Sequence, residues 1–290
     1  MRILFIINPN SGPSSSRAVL AHILEIAALK NISSSILYTT GKGDDKMIRD
    51  ELELYKPDKV VAGGGDGTIQ LVARNLIGKN IPIQLLPFGS ANGLATSLNI
   101  PTKDEDLANY IFADLTPTPL DMLRINDIHI CVHLADIGIN AKMVKEYSKG
   151  GDSGMLGYAK HAVQAIKDSP LLNYSIKTEK ETIEQQGYML AFANANMYGT
   201  GIKISEGTVN DGKFEIRNIP ELSWFDALKA GLTKFNIYID ANMFEDVISC
   251  RNAEIFIDQK IDFQIDGEYI GEVDYLKIEM LPSAITILLP

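Results

Sequence analysis

Cysteine is scarce in this chain. Cys131 and Cys250 are the two among 290 residues, far apart and outside any metal-ligand spacing. That excludes a disulfide framework and a cysteine zinc site, and it fits a reducing compartment. An excess of basic residues is missing as well: 27 Lys and Arg face 37 Asp and Glu, for a formal charge of −10. Such a surface argues against nucleic acid as a partner, because phosphate backbones need Lys and Arg to neutralise them. It also argues against permanent docking on anionic lipid. No apolar run approaches the roughly 18–20 residues of a membrane-spanning helix. The opening run 3–7 is too short and too weakly flanked for a signal peptide. His22, His129, His133 and His161 make no ligand pattern. The single tryptophan, Trp224, reads with Phe225 as packing on an amphipathic helix before it reads as a membrane anchor. The expectation is a soluble cytoplasmic protein that associates with a membrane peripherally at most.

What the chain does have is alternation. Over roughly the first 120 residues, apolar runs at 2–7, 35–39, 59–62 and 81–86 alternate with amphipathic stretches at 14–30, 44–55, 68–77, 91–98 and 104–115. Strands alternating with helices imply βαβ units and a mainly parallel sheet. Ligands of such sheets sit at the carboxyl ends of the strands, where the polar or glycine-rich loops 8–12, 39–43, 63–68 and 87–92 all fall. Thr116-Pro117-Thr118-Pro119 breaks the pattern and reads as a linker. Beyond it, strands are predicted at 121–125, 129–134, 174–178, 187–194, 213–217, 252–257, 262–265, 276–280 and 285–289, with helices near 156–167 and 224–234. The fold class is therefore an α/β N-terminal domain with a mainly parallel sheet, residues 1–119, followed by a largely antiparallel β second domain, residues 120–290. The extreme C-terminus is free to return to the first domain.

The densest signal is Gly63-Gly64-Gly65-Asp66-Gly67-Thr68. Glycines at a strand end let a backbone approach a ligand, and a helix start just beyond offers N–H groups to an anion. Asp66 suits a Mg²⁺ contact or the orientation of a phosphate-bound water, and Thr68 offers a hydroxyl. The loop is not a P-loop, since no Gly-Lys-Ser/Thr follows, and its spacing does not fit the dinucleotide fingerprint. In Asn8-Pro9-Asn10-Ser11-Gly12, Asn8 and Ser11 can bond phosphate or base, although Pro and Gly also serve a plain turn. In Pro87-Phe88-Gly89-Ser90-Ala91-Asn92, Ser90 is either a helix N-cap or a second hydroxyl for the nucleotide. Asp266-Gly267-Glu268, taken alone, is a strong hairpin turn.

Taken in order, these motifs resemble the diacylglycerol kinase catalytic-domain family. The resemblance rests on Asn-Pro-x-Ser-Gly at 8–12, Gly-Gly-Asp-Gly-Thr at 64–68 and Leu-Pro-x-Gly-Ser-x-Asn at 86–92. It continues in Asp121 with Arg124-Ile125-Asn126, in 136–141, in Asn210-Asp211-Gly212 and in Gln264-Ile265-Asp266-Gly267-Glu268. It implies an NAD kinase/diacylglycerol kinase-like fold and an ATP- and Mg²⁺-dependent kinase that phosphorylates a hydroxyl of diacylglycerol or a related lipid. Asn8, Ser11, Thr39, Gly64, Gly65, Asp66, Gly67, Thr68, Ser90 and Asn92 would serve ATP. Asp211, with the backbone carbonyls of Thr208 and Lys213, would hold a structural Mg²⁺. Asp266 or Glu268 would be the general base. The partners implied are a lipid substrate and a transient membrane contact, with a homodimer left open. The chain departs from the family pattern at Leu71 and Asn140, where acids are common, at Gly93, where bacterial members usually carry Asp, and at Ser205-Glu206-Gly207. Two rival functions stand beside this one: a NAD kinase-like small-molecule kinase, and a non-catalytic nucleotide- or lipid-binding module.

Overall fold

A strand buried on both faces must be apolar along its whole length, and Ile3, Leu4, Phe5, Ile6 and Ile7 meet that demand at 0–4% exposure. They form β1 (Arg2–Ile7) in a computed structural model that describes residues 1–12, 15–89, 92–148, 169–194, 197–198, 202–203, 208–220 and 247–290. The chain divides into two compact units, Met1–Asp121 with Ser283–Pro290, and Met122–Pro282.

In the first unit β1 is followed by α1 (Ser15–Leu29), β2 (Ser33–Tyr38), α2 (Asp44–Tyr55), β3 (Lys59–Gly64), α3 (Asp66–Leu76), β4 (Ile83–Pro87), α4 (Gly93–Ser97) and α5 (Asp104–Phe112). β1 lies parallel between β2 and β3, and β3 pairs parallel with β4. The end of the chain's last strand adds to β4, also in parallel, with Ile287 opposite Ile83. One cation sits inside this unit. Lys59 of β3 donates to Gln84 Oε1 of β4 at 2.7 Å and to the Ile111 carbonyl at 2.8 Å. Gln84 in turn donates to the Tyr110 carbonyl at 2.8 Å. The ammonium thus meets the Ile111 carbonyl near the C-terminal end of α5, where the helix dipole favours positive charge. Burial nevertheless lowers its pKa to about 8.

β5 (Thr116–Ile125) runs from the first unit into the second, which continues with β6 (His129–Cys131), β7 (Leu134–Gly138), α6 (Ile139–Ser148), β8 (Leu172–Thr178), β9 (Thr182–Gly187), β10 (Met189–Ala193), β11 (Met197–Tyr198), β12 (Ile202–Lys203), β13 (Phe214–Ile219), β14 (Ile248–Cys250), β15 (Asn252–Ile265) and β16 (Glu268–Leu289), whose last residues belong to the first unit. β14, β13, β10, β7, β15 and β16 follow one another as antiparallel neighbours. The first half of β15 pairs with β8 and its last residues with β7, across a register break between Phe256 and Ile261. Ile137, Ile176, Phe192, Phe214, Ile255 and Phe263 are among the side chains that fill the core.

Several expectations change here. Residues 116–119 are not a linker but the start of β5. β6 covers only Leu123–Ile125 of β5. β5 also pairs with β16, and Pro117 and Pro119, which carry no N–H, lie in the part of β5 that β6 does not reach. The strands predicted at 252–257 and 262–265 are one bent strand, and those at 276–280 and 285–289 belong to one strand of 22 residues. Helix α6 and strand β9 have no counterpart in the sequence pattern. The helices predicted near 156–167 and 224–234, with Trp224, lie outside the described residues. Among the described residues no helix is long and apolar enough to cross a membrane.

The buried ammonium yields a pH test. An unfolded chain keeps Lys59 protonated up to about its ordinary pKa of 10.5, whereas the folded chain releases the proton from about 8. The folded state is therefore penalised fully below pH 8, and the penalty fades as pH rises to 10.5. Urea unfolding should show wild type gaining about 3 kcal/mol relative to Lys59→Met across that window. Parallel stability curves would contradict the burial.

Candidate active site

The loops at the carboxyl ends of the first unit's strands converge. Asn8 N–H donates to the Gly63 carbonyl at 2.8 Å, and Thr39 N–H to the Ile7 carbonyl at 2.9 Å. Asn8 Oδ1 accepts the Asn10 N–H at 3.0 Å, and the Asn8 carbonyl accepts the Ser11 N–H at 3.1 Å, which closes the 8–12 turn. Phe88 and Gly89 both donate to the Gly64 carbonyl, at 3.0 and 3.2 Å. The 63–68 and 87–92 loops touch backbone to backbone: a Cβ on Gly89 would stand 2.4 Å from Gly65 Cα. Thr68 is buried, and its hydroxyl fills the space that a Cβ on Gly64 would need, at 2.3 Å. These glycines therefore allow loops and side chains to pack closely, in addition to any approach to a ligand.

Asp66 opens α3, and Gly67 follows it. The half-buried Asp66 carboxylate accepts the N–H groups of Gly93 at 2.9 Å and Leu94 at 3.1 Å, the first turn of α4. One acid thus ties two helix starts together, satisfying donors that a helix N-terminus leaves over. Asn92 adopts φ 52 before α4 and donates to the Gly89 carbonyl at 2.7 Å, which holds the loop's shape. Asn8, Ser11, Thr39, Gly64, Gly65, Asp66, Gly67, Thr68 and Asn92 accordingly lie at one end of one sheet. Ser90 lies outside the described residues.

In the second unit β15 turns into β16 through Asp266 and Gly267, with φ of 48 and 83. Two consecutive positive values suit Asp-Gly in a two-residue hairpin turn. Asp266 is also bound. Its carboxylate accepts the N–H groups of Val132 at 2.8 Å, His133 at 2.9 Å and Leu134 at 3.0 Å, while its own N–H reaches the Leu134 carbonyl at 2.8 Å. Cys131 Sγ lies 3.6 Å away; burial first, and then this carboxylate, push its thiol pKa far up. Glu268, two residues on, is exposed. The two acids of one motif thus have different settings.

Asp211 is exposed, and its carboxylate accepts the N–H groups of Lys213 at 3.0 Å and Thr208 at 3.2 Å. This carboxylate with the carbonyls of Thr208 and Lys213 would be an oxygen-only donor set, of the kind that suits a hard cation such as Mg²⁺. Among the described residues no group of three or more His, Cys, Asp or Glu gathers as a metal cluster. One residue given no role by sequence reasoning is Asp136 of β7, which is fully buried. Burial raises its pKa to about 7, against the opposing pull of donors from Asn140, Gln264 and Ala141. Its signal in the sequence is an acid inside an otherwise apolar strand, Leu134-Ala135-Asp136-Ile137.

Residues 2–125 match the model of the diacylglycerol kinase catalytic domain. Residues 136–289 match that of the YegS C-terminal NAD kinase beta sandwich-like domain. A probable lipid kinase YegS-like protein of Klebsiella pneumoniae (strain 342) is 26% identical over 287 residues, covering 97% of this chain and 94% of the relative. The probable lipid kinase YegS of Salmonella gallinarum is 27% identical over 291 residues, with the same coverages of 97% and 94%. A crystal structure of a putative diacylglycerol kinase from Bacillus anthracis str. Sterne superposes with a TM-score of 0.75 at 20% identity, covering 100% of this chain and 97% of that one.

The contact between Gly65 and Gly89 can be tested alone. Gly89→Ala places a methyl group 2.4 Å from a backbone atom that cannot rotate away. It should lower unfolding stability by about 1–3 kcal/mol, read from denaturant midpoints. An unchanged midpoint would show that the loops do not pack this way.

Proposed function

The chain belongs to the diacylglycerol kinase catalytic-domain family, in the form that carries a YegS-type C-terminal domain, and on that premise we propose that it transfers the terminal phosphoryl group of ATP to a hydroxyl of diacylglycerol or a related lipid. The observation that carries this reading is that the 8–12 loop and Phe88–Gly89 bond to Gly63 and Gly64 while Asp66 of the same loop holds the start of α4, all within the part that matches the catalytic-domain model. Phosphoryl transfer needs little covalent chemistry from the protein. It needs positioning, positive charge against the phosphates and a proton acceptor at the attacking hydroxyl.

The parts divide as follows. The start of α3 offers backbone N–H groups to phosphate, flanked by Asn8, Ser11, Thr39, Thr68 and Asn92, with Ser90 from the adjoining segment. Bound Mg²⁺ would neutralise phosphate charge, with Asp66 as the acid of that loop. A second Mg²⁺ at Thr208, Asp211 and Lys213 would serve structure. Of the two acids in the turn, the setting favours Glu268 as the base, because its carboxylate is exposed. Asp266 is engaged by three main-chain donors and acts by fixing the turn. A water-soluble protein can reach such a lipid through transient membrane contact, and no nucleic acid is required.

Two variants separate these roles. With labelled ATP and total lipid extract, Glu268→Gln should lose turnover by about a hundredfold or more with an unchanged melting temperature. Asp266→Asn should lose both turnover and stability, since it removes a carboxylate that satisfies three backbone donors. Full activity of Glu268→Gln would remove the assignment of the base.

A further inference from the structure

The turn that carries Glu268 is held from a second direction. Gly267 N–H donates to Gln264 Oε1 at 2.8 Å. The other end of that amide, Gln264 Nε2, donates to Asp136 Oδ2, which also accepts Asn140 Nδ2 at 2.6 Å. Gln264 and Asp136 are 1% and 0% exposed. Asp136 and Gln264 face each other across the β7–β15 ladder, and Asn140 follows four residues after Asp136, in the first turn of α6. Resting on the reading of the 266–268 turn given above, we propose that Gln264 is a positioning residue for Glu268, with its amide locked by the Asp136 carboxylate.

The chemistry of the groups gives the lock its direction. An ionised carboxylate accepts and cannot donate. It therefore requires Gln264 to present Nε2 to Asp136 and Oε1 to the Gly267 N–H. A protonated carboxyl group can also donate, so it no longer specifies which end of the amide faces it. The amide is then free to turn over and release Gly267. Burial places this change close to neutral pH, since Asp136 titrates at about 7. The sign follows: the ionised form holds the turn, so turnover rises as pH climbs through about 7.

Other groups that carry or can carry charge stand around Asp136. Cys131 and His133 lead into β7, and Asp266 lies beyond Gln264 at the turn. Asp262, also on β15, binds Lys145 of α6 at 2.6 Å, and that lysine also meets Glu272. Lys142 and Glu146 are the other charged residues of α6. One strand beyond Ala191 of β10, β13 carries Glu215 and Arg217. Burial and the neighbouring Asp266 carboxylate push the cysteine thiol far above neutrality.

The test uses the whole protein, labelled ATP and total lipid extract, with kcat and the KM for ATP measured from pH 5.5 to 8.5 (about one and a half units either side of the Asp136 transition). Gln264→Leu should lower kcat about tenfold or more, with the KM for ATP within about twofold, because the turn and the loops of the first unit are separate parts. Asp136→Asn keeps an oxygen acceptor and removes the titration, so its kcat should no longer rise through pH 7. It also provides a variant with less risk to the fold. Wild-type kcat in Gln264→Leu, or a rise through pH 7 that persists in Asp136→Asn, overturns the proposal while Glu268→Gln remains inactive. If Glu268→Gln is itself fully active, the reading of the turn fails and the proposal fails with it.

Discussion

The acceptance of two backbone N–H groups by Asp66 is the contact on which the order of the first unit's loops depends. Gly93 and Leu94 begin a helix of five residues, too short to hold itself together. Its start is fixed by a carboxylate that belongs to α3, so the 87–92 loop is bound to the 63–68 loop by charge as well as by the close contact of Gly65 with Gly89. Remove the acid, and two helix starts lose the group that faces both of them. The dense glycine spacing of the loop becomes intelligible in this light. It lets two backbones meet closely enough for one side chain to serve both.

The second unit repeats the device with different partners. Asp266 collects three N–H groups from residues 132–134, the link from β6 and the first residue of β7, and so fixes a hairpin to a strand remote in sequence. In each unit an acid that the motif marks as chemical is also structural. This economy has a consequence for mutational analysis. Loss of activity on replacing Asp66 or Asp266 does not by itself identify a catalytic group, whereas the exposed Glu268 is not engaged in this way. The Gln264–Asp136–Asn140 chain extends the same logic inward, by using side-chain amides to carry order from a buried acid to an exposed turn.

Much of this was legible in the sequence because its physical causes are local. Alternating apolar runs fixed the parallel strands, and two consecutive positive φ angles at Asp266 and Gly267 are what an Asp-Gly pair signals. Position along the chain also told where the polar loops lie, since every βα turn of a parallel sheet opens at the same end. What was not legible depends on distant partners. The donors to Asp266 come from residues 132–134, and nothing near the turn announces them. The prolines at 117 and 119 argued for a linker, because a lone segment gives no sign of which of its edges will be paired. Asp136 enters the sequence reading only as the first residue of the 136–141 motif, because its partner Gln264 lies on a strand remote in sequence. Bent β15 was read as two strands because the exposed residues 258–260 resemble a turn when their flanks cannot be seen pairing with different neighbours.

The central claim is that this chain phosphorylates a lipid rather than a soluble nucleotide. The direct measurement is to incubate the purified protein with terminally labelled ATP, Mg²⁺, total lipid extract and NAD together, and to identify the labelled product by mass spectrometry. The account predicts label in a phosphorylated lipid and none in NADP. Label in NADP with none in lipid, or ATP bound with no label transferred to any acceptor, would contradict it.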